Sequence, residues 1–181
     1  MDFNQFKKKI ITDIKVELSD EFDKNFERKA FFSQTWPDRK IGRKGSLLLV
    51  SGRLRRSLKS TVTDNRITWT SDTPYADIQN SGGDIIVTRK MKKFFWAKYY
   101  ELSGKINYKK SGEQSRSTQK YSLEAKFYKG LALKKVGDKL TIPKRQFIGN
   151  APEVGQAIQR ALEPNMRELE QFLYEQLKQR K

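Results

Sequence analysis

Residues 2–32 read DFNQFKKKIITDIKVELSDEFDKNFERKAFF. Phe3, Phe6, Ile10, Ile14, Leu18, Phe22 and Phe26 recur every three or four residues with charges between them, which is the period of an amphipathic helix. Neither Gly nor Pro interrupts the run, and Trp36-Pro37 closes it, because the residue before a proline avoids the helical region. The spacing predicts one long helix from residue 2 to about 32. A stripe stepping mostly by four drifts slowly around a helix; it reads as core, with a partner groove as the other reading.

The far end of the chain repeats the pattern. Val154, Ile158, Leu162, Met166, Leu169, Leu173 and Leu177 predict a closing amphipathic helix over 152 to about 180. Between the two lie short elements. Residues 60–63 and 66–70 alternate apolar and polar around an Asp64-Asn65 turn, with Val62, Ile67 and Trp69 on the apolar beats, and predict a hairpin. Before it, Ser51 is placed to cap a short helix carrying Leu54 and Leu58; after it, Thr73-Pro74 opens another that Asn80-Ser81-Gly82-Gly83 stops. Ile85–Val87 and Lys139–Ile142 read as strands, and Met91–Leu102 and Leu123–Leu133 as helices, the second weakened by Gly130. The expected fold is α+β, a small antiparallel sheet packed with long N- and C-terminal helices. At 181 residues, a single domain spanning 1–181 is expected.

Charge is distributed unevenly. Of the net +17, none falls on residues 1–30 or 152–181, each of which balances its acids and bases, so the middle carries all of it. Such a segment repels itself unless something anionic is close, and DNA or an acidic protein surface both qualify; a merely solvated basic face is the plainer reading. Residues 104–120 are polar and basic with hardly an apolar anchor, and are expected to form a flexible basic insertion. The longest apolar runs, Leu47–Val50 and Phe94–Ala97, are too short to span a bilayer, and no signal-peptide pattern is present, so a soluble protein without membrane contact is expected.

The chemistry is bounded by what is missing. With no His and no Cys, imidazole- and thiolate-based catalysis, disulfides and the usual zinc sites are excluded. No phosphate-binding glycine loop or metalloprotease motif occurs. Asp72 and Asp77, the nearest approach to a metal-binding pair, flank a short helix where Asp is favoured anyway. No catalytic, cofactor or metal site is therefore assigned, and the expectation is a non-enzyme without a cofactor. In residues 90–103, Phe94, Phe95, Trp96, Tyr99 and Tyr100 are set among Lys92, Lys93 and Lys98, which fits a buried interface or, alternatively, a nucleic-acid surface.

Three segments, in order, carry a resemblance. They are Leu48-Leu49-Val50-Ser51-Gly52-Arg53-Leu54-Arg55-Arg56-Ser57-Leu58, Tyr75-Ala76-Asp77-Ile78-Gln79-Asn80-Ser81-Gly82-Gly83, and Ile142-Pro143-Lys144-Arg145-Gln146-Phe147-Ile148-Gly149. Together they resemble the phage virion morphogenesis family of tail-completion proteins over roughly residues 22–150. Gln79 stands where many relatives carry His, and the basic insertion before the third segment is longer than theirs. The resemblance implies structural roles for Ser51, Gly52, Leu54, Ser57, Tyr75, Ala76, Gln79, Gly82, Gly83, Pro143, Arg145, Phe147 and Gly149. It further implies a structural protein of the virion tail or neck, assembled in the host cytoplasm, whose partners are its own copies in a ring, other neck and tail proteins and, non-specifically, double-stranded DNA. Arg53, Arg55, Arg56, Lys92 and Lys93 are the candidate contacts to DNA or an acidic partner. A stand-alone basic DNA-binding protein is the alternative.

Overall fold

Asp2 starts the long N-terminal helix: its carboxylate accepts from the Asn4 N–H at 2.9 Å, and α1 runs Phe3–Arg28. The computed structural model describes residues 2–39, 47–63, 65–106 and 116–179. α1 stops short of residue 32 because Lys29 turns left-handed (φ 55°), its N–H returning to the Asn25 carbonyl. Ala30–Phe31 (β1) then pairs antiparallel with Gln34–Thr35 (β2). Ala30, four residues past Phe26, is buried as a strand residue, so its apolar beat continued the helical pattern without belonging to it.

The chain groups into two compact units. The first comprises Met1–Trp36, Ser46–Ser81 and Arg145–Lys181; the second comprises Pro37–Gly45 and Gly82–Lys144. Lys40, Arg43 and Lys44, between Trp36-Pro37 and Leu47, lie outside the described residues.

In the first unit, the C-terminal helix α6 (Pro152–Gln179) packs along α1. Leu18, Phe22, Phe31 and Ala157 form one core there, with Ile14, Val154 and Ile158 against it. Asn165, buried, ties the pair by donating to the Asp13 carboxylate at 2.9 Å. Pro164 sits inside α6, and the helix runs through it. The predicted apolar stripe does not stay on this contact. A four-residue step advances about 40° around a helix, and Met166, Leu173 and Leu177 end up exposed while Ala157 and Asn165 face α1.

The second core of this unit is Phe26, Trp36, Leu47, Leu54, Ala76 and Phe147. Leu54 comes from the short helix α2 (Arg53–Ser57), whose N-cap is Gly52 (φ 65°) rather than Ser51; the Ser51 hydroxyl accepts weakly from the Arg53 N–H at 3.4 Å. Leu58 begins the next strand instead of continuing the helix. The predicted hairpin is present as β3 (Leu58–Thr63) and β4 (Arg66–Ser71), with Thr63 opposite Arg66 and Trp69 packed toward the first core; Asp64 of its turn lies outside the described residues. The following helix α3 (Ala76–Ser81) starts later than Thr73-Pro74 suggests. The Thr73 carbonyl accepts from the Ala76 N–H, and its buried hydroxyl bonds Ser71 at 2.8 Å instead of capping the helix.

The second unit is an α-helical pair with a small sheet. β5 (Gly83–Ile86) pairs antiparallel with β6 (Lys139–Ile142), Gly83 opposite Ile142. Gly82 (φ 70°) precedes it, and a Cβ there would meet the Lys144 backbone nitrogen at 2.8 Å, so glycine is required twice over. α4 (Arg89–Ser103) is capped by the Thr88 hydroxyl and packs on α5 (Arg116–Leu133) around Phe95, Leu102, Ala125, Tyr128 and Ala132. α5 begins within the stretch expected to be a flexible insertion and runs through Gly130; residues 107–115 of that stretch lie outside the described residues. The class is α+β, with three separate two-stranded antiparallel sheets among the described residues in place of one small sheet.

Candidate functional site

The three sequence motifs meet around Phe147. Its side chain packs between Phe26, Leu54 and Ala76, with the Phe26 ring centroid 5.2 Å away. Its backbone is held from both sides. The Asn80 side-chain oxygen accepts from the Phe147 and Ile148 N–H groups at 2.9 and 3.1 Å, and the Asn25 amide donates to the Phe147 carbonyl at 3.1 Å. Asn25 also accepts from the Phe32 N–H at 2.9 Å, and so fixes the turn after α1 as well. The Arg145 N–H donates to the Gln79 carbonyl at 2.8 Å. Gln79 thus serves through its backbone, and its buried side-chain oxygen has no hydrogen-bond partner among the described residues.

Most of the remaining motif residues do similar work. Ser57 donates to the Leu54 carbonyl at 2.7 Å and joins the hydroxyl cluster of Ser71 and Thr73. Ala76 is core, Arg145 is buried, and Gly149 (φ 140°) turns the chain into α6. Tyr75 stays partly exposed, and Pro143 leads out of β6. Asn25 and Asn80 were missed from the sequence. The signal was there for Asn25, a polar residue between Phe22 and Phe26 on an apolar stripe, where a buried amide must find partners.

Electrostatics separate the two units. The first nets +3, with 18 Lys and Arg against 15 Asp and Glu, and ties several of its acids internally. Glu21 takes Arg28 at 3.0 Å with Lys24 and Arg160 both at 3.4 Å, Arg160 also reaches Glu17 at 2.8 Å, and Lys9 pairs with Glu168. Burial alone would push the Glu21 carboxyl up, but the Arg28 and Lys24 hydrogen bonds and charges outweigh it and hold the carboxyl below its ordinary value. The second unit holds 20 of the 38 Lys and Arg but only 6 of the 21 Asp and Glu, so +14 of the +17 falls on it. There Glu101 is shared by Lys98 and Lys105, whose hydrogen bonds take its carboxyl down to about 2, and Asp84 stands 3.9 Å from Lys139. Arg89, Lys90, Lys92, Lys93, Lys120 and Lys126 have no ion-pair partner among the described residues.

The candidate contact residues divide the same way. Arg55 forks onto Asp23 and Glu27 of α1 and so anchors α2 rather than reaching outward. Arg56 folds back to the Ser51 carbonyl at 2.8 Å, over Gly52. Arg53 is exposed, and Lys92 and Lys93 lie on α4 with no internal acid to hold them. Among the described residues, no group of three potential metal ligands comes together, and no helix is long and apolar enough to cross a membrane.

Fold and site define a class: a basic α+β scaffold whose motif residues are spent on packing and whose excess charge sits mostly on one unit. The chain matches the phage virion morphogenesis family over residues 27–167, well over half its length, and belongs to that family. Membership sets it among proteins of phage particle assembly. No curated protein and no solved structure matches the chain.

Proposed function

We propose that this protein is a non-enzymatic tail-completion or neck component that oligomerises as a ring at the head–tail junction of the virion. The observation that carries the reading is the use of the motif residues. Leu54, Ser57, Ala76, Gln79, Arg145 and Phe147 hold one scaffold together, so the motifs build a shape to be assembled. The nearly neutral first unit can lie against another copy without strong repulsion, while the second carries an excess of cations for an anionic neighbour. Complementation tests this directly. A phage lacking the protein should accumulate separate heads and tails that join when it is supplied. Normal infectious particles made without it would overturn the assignment.

The +14 of the second unit favours one other reading, a DNA-binding protein acting alone. Tight, sequence-selective binding that persists at high salt is its signature; weak, sequence-indifferent and steeply salt-dependent binding is expected of the assembly protein.

A further inference from the structure

Among the described residues, α6 leaves an apolar seam uncovered and α5 a mixed one, with two exposed leucines set among polar and small residues. On α6, Leu162, Met166, Leu169, Leu173 and Leu177 follow steps of 4, 3, 4 and 4; Leu173 is 50% and Leu177 67% exposed. On α5, Gln119, Leu123, Lys126, Gly130 and Leu133 follow steps of 4, 3, 4 and 3; Leu123 is 64% and Leu133 62% exposed. Steps of three and four are those of helices that pair along a seam. Among the described residues, nothing lies within 4 Å of where a Gly130 Cβ would stand, which leaves room for a second helix there.

The charges beside the seams are opposite. From Glu163 to Lys178, α6 carries four acids (Glu163, Glu168, Glu170, Glu175) against Arg167 and Lys178. From Thr118 to Leu133, α5 carries Lys120, Lys126 and Lys129 against Glu124 alone. Glu170, beside Leu169 and Leu173, and Lys126, midway along the α5 seam, both lack an ion-pair partner among the described residues. Like-with-like pairing sets acid against acid or base against base, whereas α5 against α6 joins opposite charges.

We infer that the α6 seam of one copy docks on the α5 seam of the next, with Lys126 facing Glu170. The inference rests on the ring reading above and supplies its contact. The joint is heterologous: each copy added leaves one α5 and one α6 seam free, so the chain of copies grows until rotation closes it.

The absence of cysteine makes the test clean. Full-length Leu123→Cys is mixed with full-length Leu173→Cys, or with Met166→Cys, each carrying a different tag, under mild oxidation. The first pair reports antiparallel and the second parallel docking; a mixed disulfide in either supports the joint. A Leu173→Cys homodimer as the main product overturns it in favour of α6 self-pairing. Oligomers that form with no mixed disulfide in either arm overturn the joint and leave the ring reading standing. A protein that stays monomeric at every concentration and in the particle overturns both. A second measurement guards against misfolding. Lys126→Glu and Glu170→Lys should each weaken assembly about tenfold or more with unchanged circular dichroism, and the double variant should restore it. A correctly folded double variant that stays dissociated overturns the pairing.

Discussion

Asn80 carries two backbone N–H groups on a single side-chain oxygen, and no other polar group stands in for it among the described residues. Replacing it with Ala leaves the Phe147 and Ile148 amides unsatisfied in a half-buried place. Asn80→Ala should therefore cost about 2–4 kcal/mol of unfolding free energy in urea titration, at about 1–3 kcal/mol per orphaned donor with partial rescue by water. Phe147→Ala should cost about 3–5 kcal/mol, since the ring is central to its core. Glu21 gives a pH signature. Its folded pKa lies below the ordinary 4.5, so its contribution is present above that value and is lost as pH falls through the folded one. Glu21→Gln should lower stability at pH 7 by about 1–3 kcal/mol. It should also flatten the decline expected of the parent below pH 4.5; an equally steep decline in both would assign that loss to other carboxylates.

At the scale of elements, periodicity located what it could. α1, α4, α6 and the β3–β4 hairpin were legible because each buries one regular face. The β1–β2 hairpin was not, since Ala30, four residues past Phe26, keeps the helical rhythm while Lys29 has already turned the chain. The start of α5 was hidden by polarity: Thr118 is buried and Gln119 and Lys120 are exposed, a pattern with no apolar anchor to read. In α6 the stripe was read correctly as a sequence and only partly as a surface, because the helix faces α1 with small and polar residues, Ala157 and Asn165. That difference separates two truncations. Ending the chain after Gly155 removes Ala157, Ile158, Arg160 and Asn165, so the first unit should lose cooperative unfolding. Ending it after Glu168 keeps all of these and the Lys9 pair. The melting temperature should then fall by only a few degrees, of the order expected for about 1 kcal/mol, while light scattering reports loss of oligomers.

For the whole molecule, the decisive quantity is where uncompensated charge resides, because only charge without an internal partner is available to an external one. Composition places the basic excess in the middle of the chain but does not say which cations are already used. Arg55 and Arg56 look like prime contacts in the sequence, yet one is forked onto Asp23 and Glu27 and the other is folded onto the Ser51 carbonyl. Lys92 and Lys93 look no different on paper and have no such acids. DNA titrations over a range of salt distinguish these cases. Each phosphate contact contributes about −0.9 to the slope of log affinity against log salt. Lys92→Gln with Lys93→Gln should make that slope shallower by about 1 to 2 and weaken binding equally on unrelated sequences. Arg55→Ala should leave the slope unchanged and appear instead as a stability loss of about 1 kcal/mol, the scale of a partly exposed ion-pair fork. If Arg55→Ala lowers the slope and the lysine pair does not, then the cations that meet DNA are on the first unit, and the separation of a nearly neutral unit from a strongly basic one does not govern what this protein contacts.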